Sequence, residues 1–168
     1  NGAVAALQLA HPGRKASCQR PWEGDGPLEE KDFARGDMAW EVVGPSALPF
    51  REGWLTPKEL SPSDIADVID NWVAATKRAI TAGYDILEIH SARGYLSHSF
   101  LSPLSNRRGN KYGGSLENRI RFTLELAEAV RATWPDNKPL FTRISGVALA
   151  EELKIRGVDV IDCSAGGI

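Results

Sequence analysis

The sequence predicts a parallel α/β protein. Short apolar runs that read as strands alternate with amphipathic stretches that read as helices, and the residues richest in chemistry gather just past one of the strands. Alternating strands and helices imply a parallel sheet with right-handed crossovers. In such proteins the side chains beyond the carboxyl ends of the strands face the ligand.

Residues 3–10 form a small apolar run broken only by Gln8 and read as a buried strand. From 11 to about 60 the chain turns irregular, with Gly, Pro and charges crowded at 22–27. That is longer than most connections in compact domains, and it reads as a lid over a site. Ser61 to Ala82 is the clearest helix. Ser61 is a good N-cap, Pro62 occupies the first helical position, and Asp64 completes an approximate capping box. Ile65, Val68, Ile69, Trp72, Val73 and Ile80 make one apolar face, and Gly83 suits the residue after the cap. A strand follows at Asp85 to His90, then a long polar loop. Ser115 starts a second helix, to about Thr133, with Ile120, Leu124, Ala127 and Val130 inward. Leu140 to Ser145 reads as a strand, Val147 to Ile155 as a helix with Gly157 as its cap, and Val158 to Ser164 as a last strand ended by Gly166 and Gly167.

The 168 residues suffice for one domain with a real core. A complete (β/α)8 barrel takes about 250 residues, so this chain is too short to be one. With 20 basic and 22 acidic residues, nothing suggests nucleic acid or an anionic membrane as partner. No apolar run approaches the roughly 20 residues of a membrane span, and the opening Asn1-Gly2-Ala3-Val4 has no basic region typical of a signal peptide. Cys18 and Cys163 lack metal or redox spacing and suit a reducing compartment, so a cytoplasmic protein is expected. Three separated histidines predict no metal site.

Several motifs, in one order, resemble the Old Yellow Enzyme family of FMN-dependent ene-reductases. They are L-Q-L-A-H-P-G-R-K at 7–15, R-P-W-E-G-D at 20–25, E-I-H at 88–90, G-Y-L at 94–96, F-L-S-P-L-S-N-R-R at 100–108, Y-G-G-S at 112–115 and E-N-R-x-R-F at 117–122. The second is typical of the bacterial-type branch. The resemblance covers nearly the whole chain and implies a TIM-barrel fold of which the third to sixth strands are present. It also implies that a loop usually found over the active-site face is missing near 145–147.

The family's activity would be hydride transfer from NADPH or NADH, through FMN, to the C=C bond of an α,β-unsaturated carbonyl compound, a small electrophilic alkene. By position, His90 matches a donor to the substrate carbonyl that also lies against the flavin, and Tyr95 matches the proton donor; a phenol is protonated at neutral pH. Gln8 matches the glutamine at the flavin pyrimidine edge, and Arg143 the arginine that stabilises charge on the reduced ring. Each also has a bland reading: a strand-end histidine, a packed tyrosine, a buried amide needing partners, an arginine paired with Glu88 or Asp162. Arg93 departs from the family, which has histidine or asparagine as the second carbonyl donor there. Its five donors and fixed charge suit a carboxylate and shift the expected preference towards acidic or polar substrates. His11 reads as structural and His98 as a bland solvent or helix contact, while Arg107, Arg108 and Lys111 read as a solvated loop. Glu117, Asn118, Arg119 and Arg121 read as fixing the loop by local polar pairing.

Two other readings stay open. One is a catalytically inactive fragment, a structural or interaction module, since the phosphate grip lies near strands seven and eight of such barrels. Four strands also leave two sheet edges open, which favours a homo-oligomer. The other is a related iron–sulfur dienoyl-CoA reductase, against which two unclustered cysteines argue.

Overall fold

The computed structural model describes residues 2–145 and 149–164. In chain order the elements are β1 (Ala6–Leu9), α1 (Glu30–Ala34), β2 (Val43–Gly44), β3 (Lys58–Glu59), α2 (Pro62–Thr81), β4 (Ile86–Ser91), α3 (Leu96–Leu101), α4 (Leu116–Arg131), β5 (Leu140–Ile144), α5 (Ala150–Ile155) and β6 (Val160–Cys163). The main sheet runs β1-β4-β5-β6, all parallel, so spatial order follows chain order. A two-residue parallel pair, β2 with β3, lies apart from it.

The two long helices start as the sequence dictates. Ser61 Oγ accepts the Asp64 backbone N–H at 3.1 Å, and Asp64 Oδ2 accepts that of Ser61 at 2.8 Å, so both ends of the capping box are made. Ser115 Oγ accepts from Asn118 at 3.3 Å. One face of α2 buries Ile65, Val68, Trp72, Thr76 and Ala79. The buried face of α4 is wider than its inner stripe, adding Phe122, Thr123 and Leu126. These helices cover the sheet face that carries Leu87, Ile89, Leu140 and Ile144, all fully buried. By the alternation of side chains along a strand, the register leaves Gln8, Glu88, His90, Phe141, Arg143, Val160 and Asp162 on the opposite face.

Four expectations need correction. The strand at 3–10 is not buried. β1 is an edge strand, so Leu7 and Leu9 lean on the core while Ala6 and Gln8 are exposed. The polar loop after β4 contains α3, whose Ser97, His98 and Ser99 are all buried. They are tolerated because each is paired: Ser97 Oγ meets Thr123 Oγ1 at 2.7 Å, and Ser99 Oγ donates to Leu96 O at 2.6 Å. The irregular 11–60 segment holds two 3-10 turns, Gly13–Lys15 and Pro21–Glu23, together with α1, β2 and β3. Buried Gln19 and Asp32 pair at 2.8 Å inside it. Arg108 is not solvated: its side chain is 2% exposed and donates to Pro45 O at 2.8 Å. By contrast Arg119 donates to Leu101 O and Arg121 to Lys111 O, both at 2.8 Å, which fixes the loop ahead of α4.

The expected start of the last helix, the missing loop near 145–147 and the Gly166–Gly167 strand end fall wholly or partly on residues outside those described. Within the described chain, Gly157 follows α5 with φ 79°, as a helix-ending glycine should. No described helix is long and apolar enough to cross a membrane.

Candidate active site

The carboxyl end of β4 sets the site. His90 is its fifth residue, and a turn through Ala92, Arg93 and Gly94 leads to Tyr95, the cap of α3. This short path brings the two rings together, with centroids 4.8 Å apart and planes tilted by 31°. Sheet register puts Arg143 beside His90 and Asp162 beside Arg143. Arg143 Nε lies 3.2 Å from Asp162 Oδ2 as an ion pair but out of line for a hydrogen bond, so this buried N–H finds no acceptor among the described residues. Gln8 sits on the same face, two positions earlier in register, and its Nε2 donates to Glu88 Oε2. All five expected residues thus lie on one sheet face or one turn by backbone position.

Arg93 is placed differently. Its backbone is left-handed, φ 60°, and its side chain reaches along the rim, where Nε donates to Ser164 Oγ at 2.9 Å just beyond β6.

All three histidines repeat one local device. Nδ1 accepts a backbone N–H: from Gly13 at His11 (3.0 Å), from Ala92 at His90 (3.2 Å) and from Gly94 at His98 (2.8 Å). An accepting Nδ1 carries no proton, so each neutral ring keeps its proton on Nε2. At His90 this leaves a donor available to a ligand. Burial first, then the nearby Arg143 and Arg93 charges, hold His90 below the ordinary histidine pKa against an opposing pull from Asp162. Burial also lowers His11.

His98 is pushed down to about 4, by burial and then by Lys15 and Arg14. It is a positioning residue for the Gly94–Tyr95 turn. A histidine kept neutral by the fold contributes stability that is complete above its ordinary value near 6.5 and is lost as pH falls towards 4. His98→Asn offers an acceptor to Gly94 without titrating. It is expected to flatten the fall of Tm between pH 6.5 and 4 by several degrees, the loss that linkage predicts across that window. Parallel Tm–pH curves for the two proteins would remove His98 from this role.

The 11–60 segment supplies the outer wall. A cavity of about 460 Å³ lies between it and the β4 turn, lined by Lys15, Cys18, Trp40, Phe50, Trp54 and Tyr95 among others. His90 lies outside this lining, in ring contact with Tyr95, which belongs to it. Lys15 ties the wall to the turn: its Nζ donates to Arg93 O at 3.0 Å and stands 4.4 Å from the Phe50 ring centre and 5.9 Å from that of Tyr95. Arg14 fastens the wall further along, donating to Leu48 O and Pro49 O. Lys15, Ser145 and Ser164 belong to the site and were not among the expected residues. Ser145 and Ser164 stand at strand ends, the one signal that could have drawn attention to them.

Sequence comparison matches residues 1–163 to the NADH:flavin oxidoreductase / NADH oxidase family. An NADPH dehydrogenase of Geobacillus sp. is 43% identical over 181 positions, covering all of this chain and 47% of the relative. Because that span exceeds the 168 residues here, the relative carries residues inside it that this chain lacks. An NADH:flavin oxidoreductase of Gibberella zeae is 39% identical, covering 96% of this chain and 45% of the relative. Among solved structures, morphinone reductase superposes with a TM-score of 0.78 at 29% identity, over 96% of this chain and 47% of that one. The chain spans about half the length of the relatives it matches, and its sheet is a partial (β/α)8 barrel. On the match over residues 1–163, the chain belongs to the NADH:flavin oxidoreductase / NADH oxidase family.

Proposed function

We propose that this chain carries the reacting half of an FMN-dependent oxidoreductase that reduces the activated C=C bond of an α,β-unsaturated carbonyl compound with NADPH or NADH. The observation that carries the reading is the His90–Tyr95 pair, a neutral imidazole and a phenol in ring contact at the carboxyl end of a parallel strand.

The residues fit the cofactor. Arg143 Nε is buried and, beyond its ion pair with Asp162, makes no hydrogen bond among the described residues, and the sheet face it shares with Gln8 and His90 offers amide, imidazole and guanidinium groups within two register positions. These three would hold the polar edge of the flavin ring, with Arg143 balancing negative charge there. FMN, when bound, would supply the hydride that it takes from the nicotinamide, the alkene's β carbon being the acceptor. His90 holds its proton on Nε2 and donates it as a hydrogen bond to the substrate carbonyl, stabilising the charge that grows on that oxygen. Tyr95 donates a proton to the α carbon and recovers one from solvent. Trp40, Phe50 and Trp54 give the alkene an apolar wall. The two cysteines without disulfide partners, Cys18 and Cys163, fit a cytoplasmic enzyme.

The protein is expected to bind FMN, to bleach in the flavin band when NADPH is added without oxygen, and to recover its colour when cyclohex-2-enone is supplied. A chain that stays colourless with added FMN overturns this reading. That outcome favours the inactive module, which the exposed Gln8 on edge strand β1 supports.

A further inference from the structure

We propose that Arg93 makes this site selective for alkenes conjugated to a carboxylate, with its two Nη groups seating the acid; the inference rests on the reaction proposed above.

The argument begins with the backbone. Arg93 is one of three non-glycine residues with positive φ among those described, and it is followed by Gly94 at φ 74°. A left-handed conformation costs a side-chain-bearing residue about 1–2 kcal/mol, so the turn itself would be better served by glycine or asparagine. Nothing in the backbone asks for a long cation. Yet the residue is fixed from three sides. Its N–H donates to Ser145 Oγ at 3.2 Å, its carbonyl accepts from Lys15 at 3.0 Å, and its Nε donates to Ser164 Oγ at 2.9 Å. Ser145 Oγ in turn donates to Ser164 O at 2.6 Å. The ends of β4, β5 and β6 and the Gly13–Lys15 turn together hold one strained arginine, and strain so over-determined clusters at ligand clamps.

With Nε committed, the Nη edge is what remains to meet a ligand. Among the described residues no carboxylate forms an ion pair with Arg93; Asp162, the nearest acid in register, pairs with Arg143. The surroundings are cationic. Lys15 and Arg51 line the adjoining cavity, with Asp25 as the one acid among the described residues of its wall, and Arg143 stands beside His90. A neutral carbonyl needs one donor, and His90 Nε2 supplies it. A second, permanently charged planar fork adds most where the ligand has two oxygens and a negative charge. A carboxylate also answers a chemical difficulty. Hydride addition beside an anion builds a second negative charge, which Arg93 and His90 together offset. The balance is that of the proposed reaction: hydride to the β carbon, a proton from Tyr95 to the α carbon, NAD(P)H oxidised to NAD(P)⁺, and the carboxylate unchanged.

The test uses a non-reducible pair and a reducible pair. By calorimetry, the FMN-loaded protein is expected to bind 3-phenylpropanoate more tightly than 3-phenylpropanamide. Arg93→Gln and Arg93→His are expected to weaken the acid about 10- to 100-fold and the amide by no more than about threefold, with Arg93→Lys between. Under NADPH, the ratio of cinnamate to cinnamaldehyde turnover is expected to fall by a similar factor in Arg93→His. Ser164→Ala, which releases Nε but keeps the charge, is expected to weaken the acid by roughly fivefold and serves if Arg93→Gln does not fold. Equal binding of acid and amide by the parent protein, or an unchanged ratio in the Arg93 variants, overturns the proposal. If the acid preference holds but neither cinnamate nor cinnamaldehyde is reduced, the reaction reading falls and anion recognition by Arg93 stands.

Discussion

Tyr95→Phe is expected to leave the reduction of bound FMN by NADPH within about twofold of the parent rate while slowing alkene reduction about 10²–10⁴-fold. The separation follows from what the substitution removes. Phenylalanine keeps the ring that lies 4.8 Å from His90 and 5.9 Å from Lys15 Nζ, so the packing of the β4 turn is preserved. Only the hydroxyl is lost, and with it the proton for the α carbon. The backbone of Tyr95 is held independently, its N–H donating to Ala92 O at 3.1 Å. His90→Ala makes the contrast. It removes the donor to the carbonyl, and with it an acceptor that Ala92 N–H uses at 3.2 Å, so alkene reduction is expected to drop about 10²–10³-fold with weaker flavin retention as well. Stopped-flow measurement of the two half-reactions separates these outcomes. Equal slowing of both half-reactions in Tyr95→Phe would show that the tyrosine merely shapes the site.

How far the sequence could see is clearest from three places. The start of α2 was legible to the residue, because capping is local: Ser61, Pro62 and Asp64 act within one turn. The parallel sheet was legible because apolar runs alternating with long amphipathic stretches imply parallel strands with helical crossovers. β1 was misread because an apolar run does not reveal whether it has a neighbour on each side, and among the described residues only β4 pairs with it. α3 was missed because Leu-Ser-His-Ser-Phe-Leu is half polar: Ser99 bonds back to the carbonyl of Leu96, but the partner of Ser97 is Thr123, 26 positions away. Arg108 was misread for the same reason, since Pro45 stands 63 positions away. In the candidate site, the His90–Tyr95 pair was legible because both residues flank one turn. The Arg93–Ser164 bond spans 71 positions and was not.

The Tyr112-Gly113-Gly114 sequence yields the largest expected stability effect. A Cβ on Gly113 would lie 2.3 Å from Arg108 O, 2.5 Å from Arg108 Cβ and 2.8 Å from Arg108 C. These are mostly backbone atoms, so no change of rotamer relieves the clash. Arg108 cannot retreat either. Its N–H donates to Asn106 Oδ1 at 3.1 Å, its Nε to Asn110 Oδ1 at 3.2 Å and its Nη1 to Pro45 O at 2.8 Å, with an ion pair to Glu59 at 3.3 Å. Asn106 is buried and donates to both Phe100 O and Tyr112 O at 2.7 Å, so moving Arg108 disturbs the base of α3 and the Phe100–Phe122 stack, 4.4 Å between centroids. Gly113→Ala is therefore expected to cost about 3 kcal/mol or more, roughly 6–12 °C in Tm. Two neighbours calibrate the cause. Gly114 has open space but φ 79°, so Gly114→Ala should cost about 1–2 kcal/mol from backbone conformation alone. Gly109 has open space and no positive φ, and Gly109→Ala should be near neutral, within about 0.5 kcal/mol. Chemical denaturation of the three variants orders them 113, 114, 109. If Gly114→Ala proved the most damaging, backbone strain rather than the close approach to Arg108 would govern this loop.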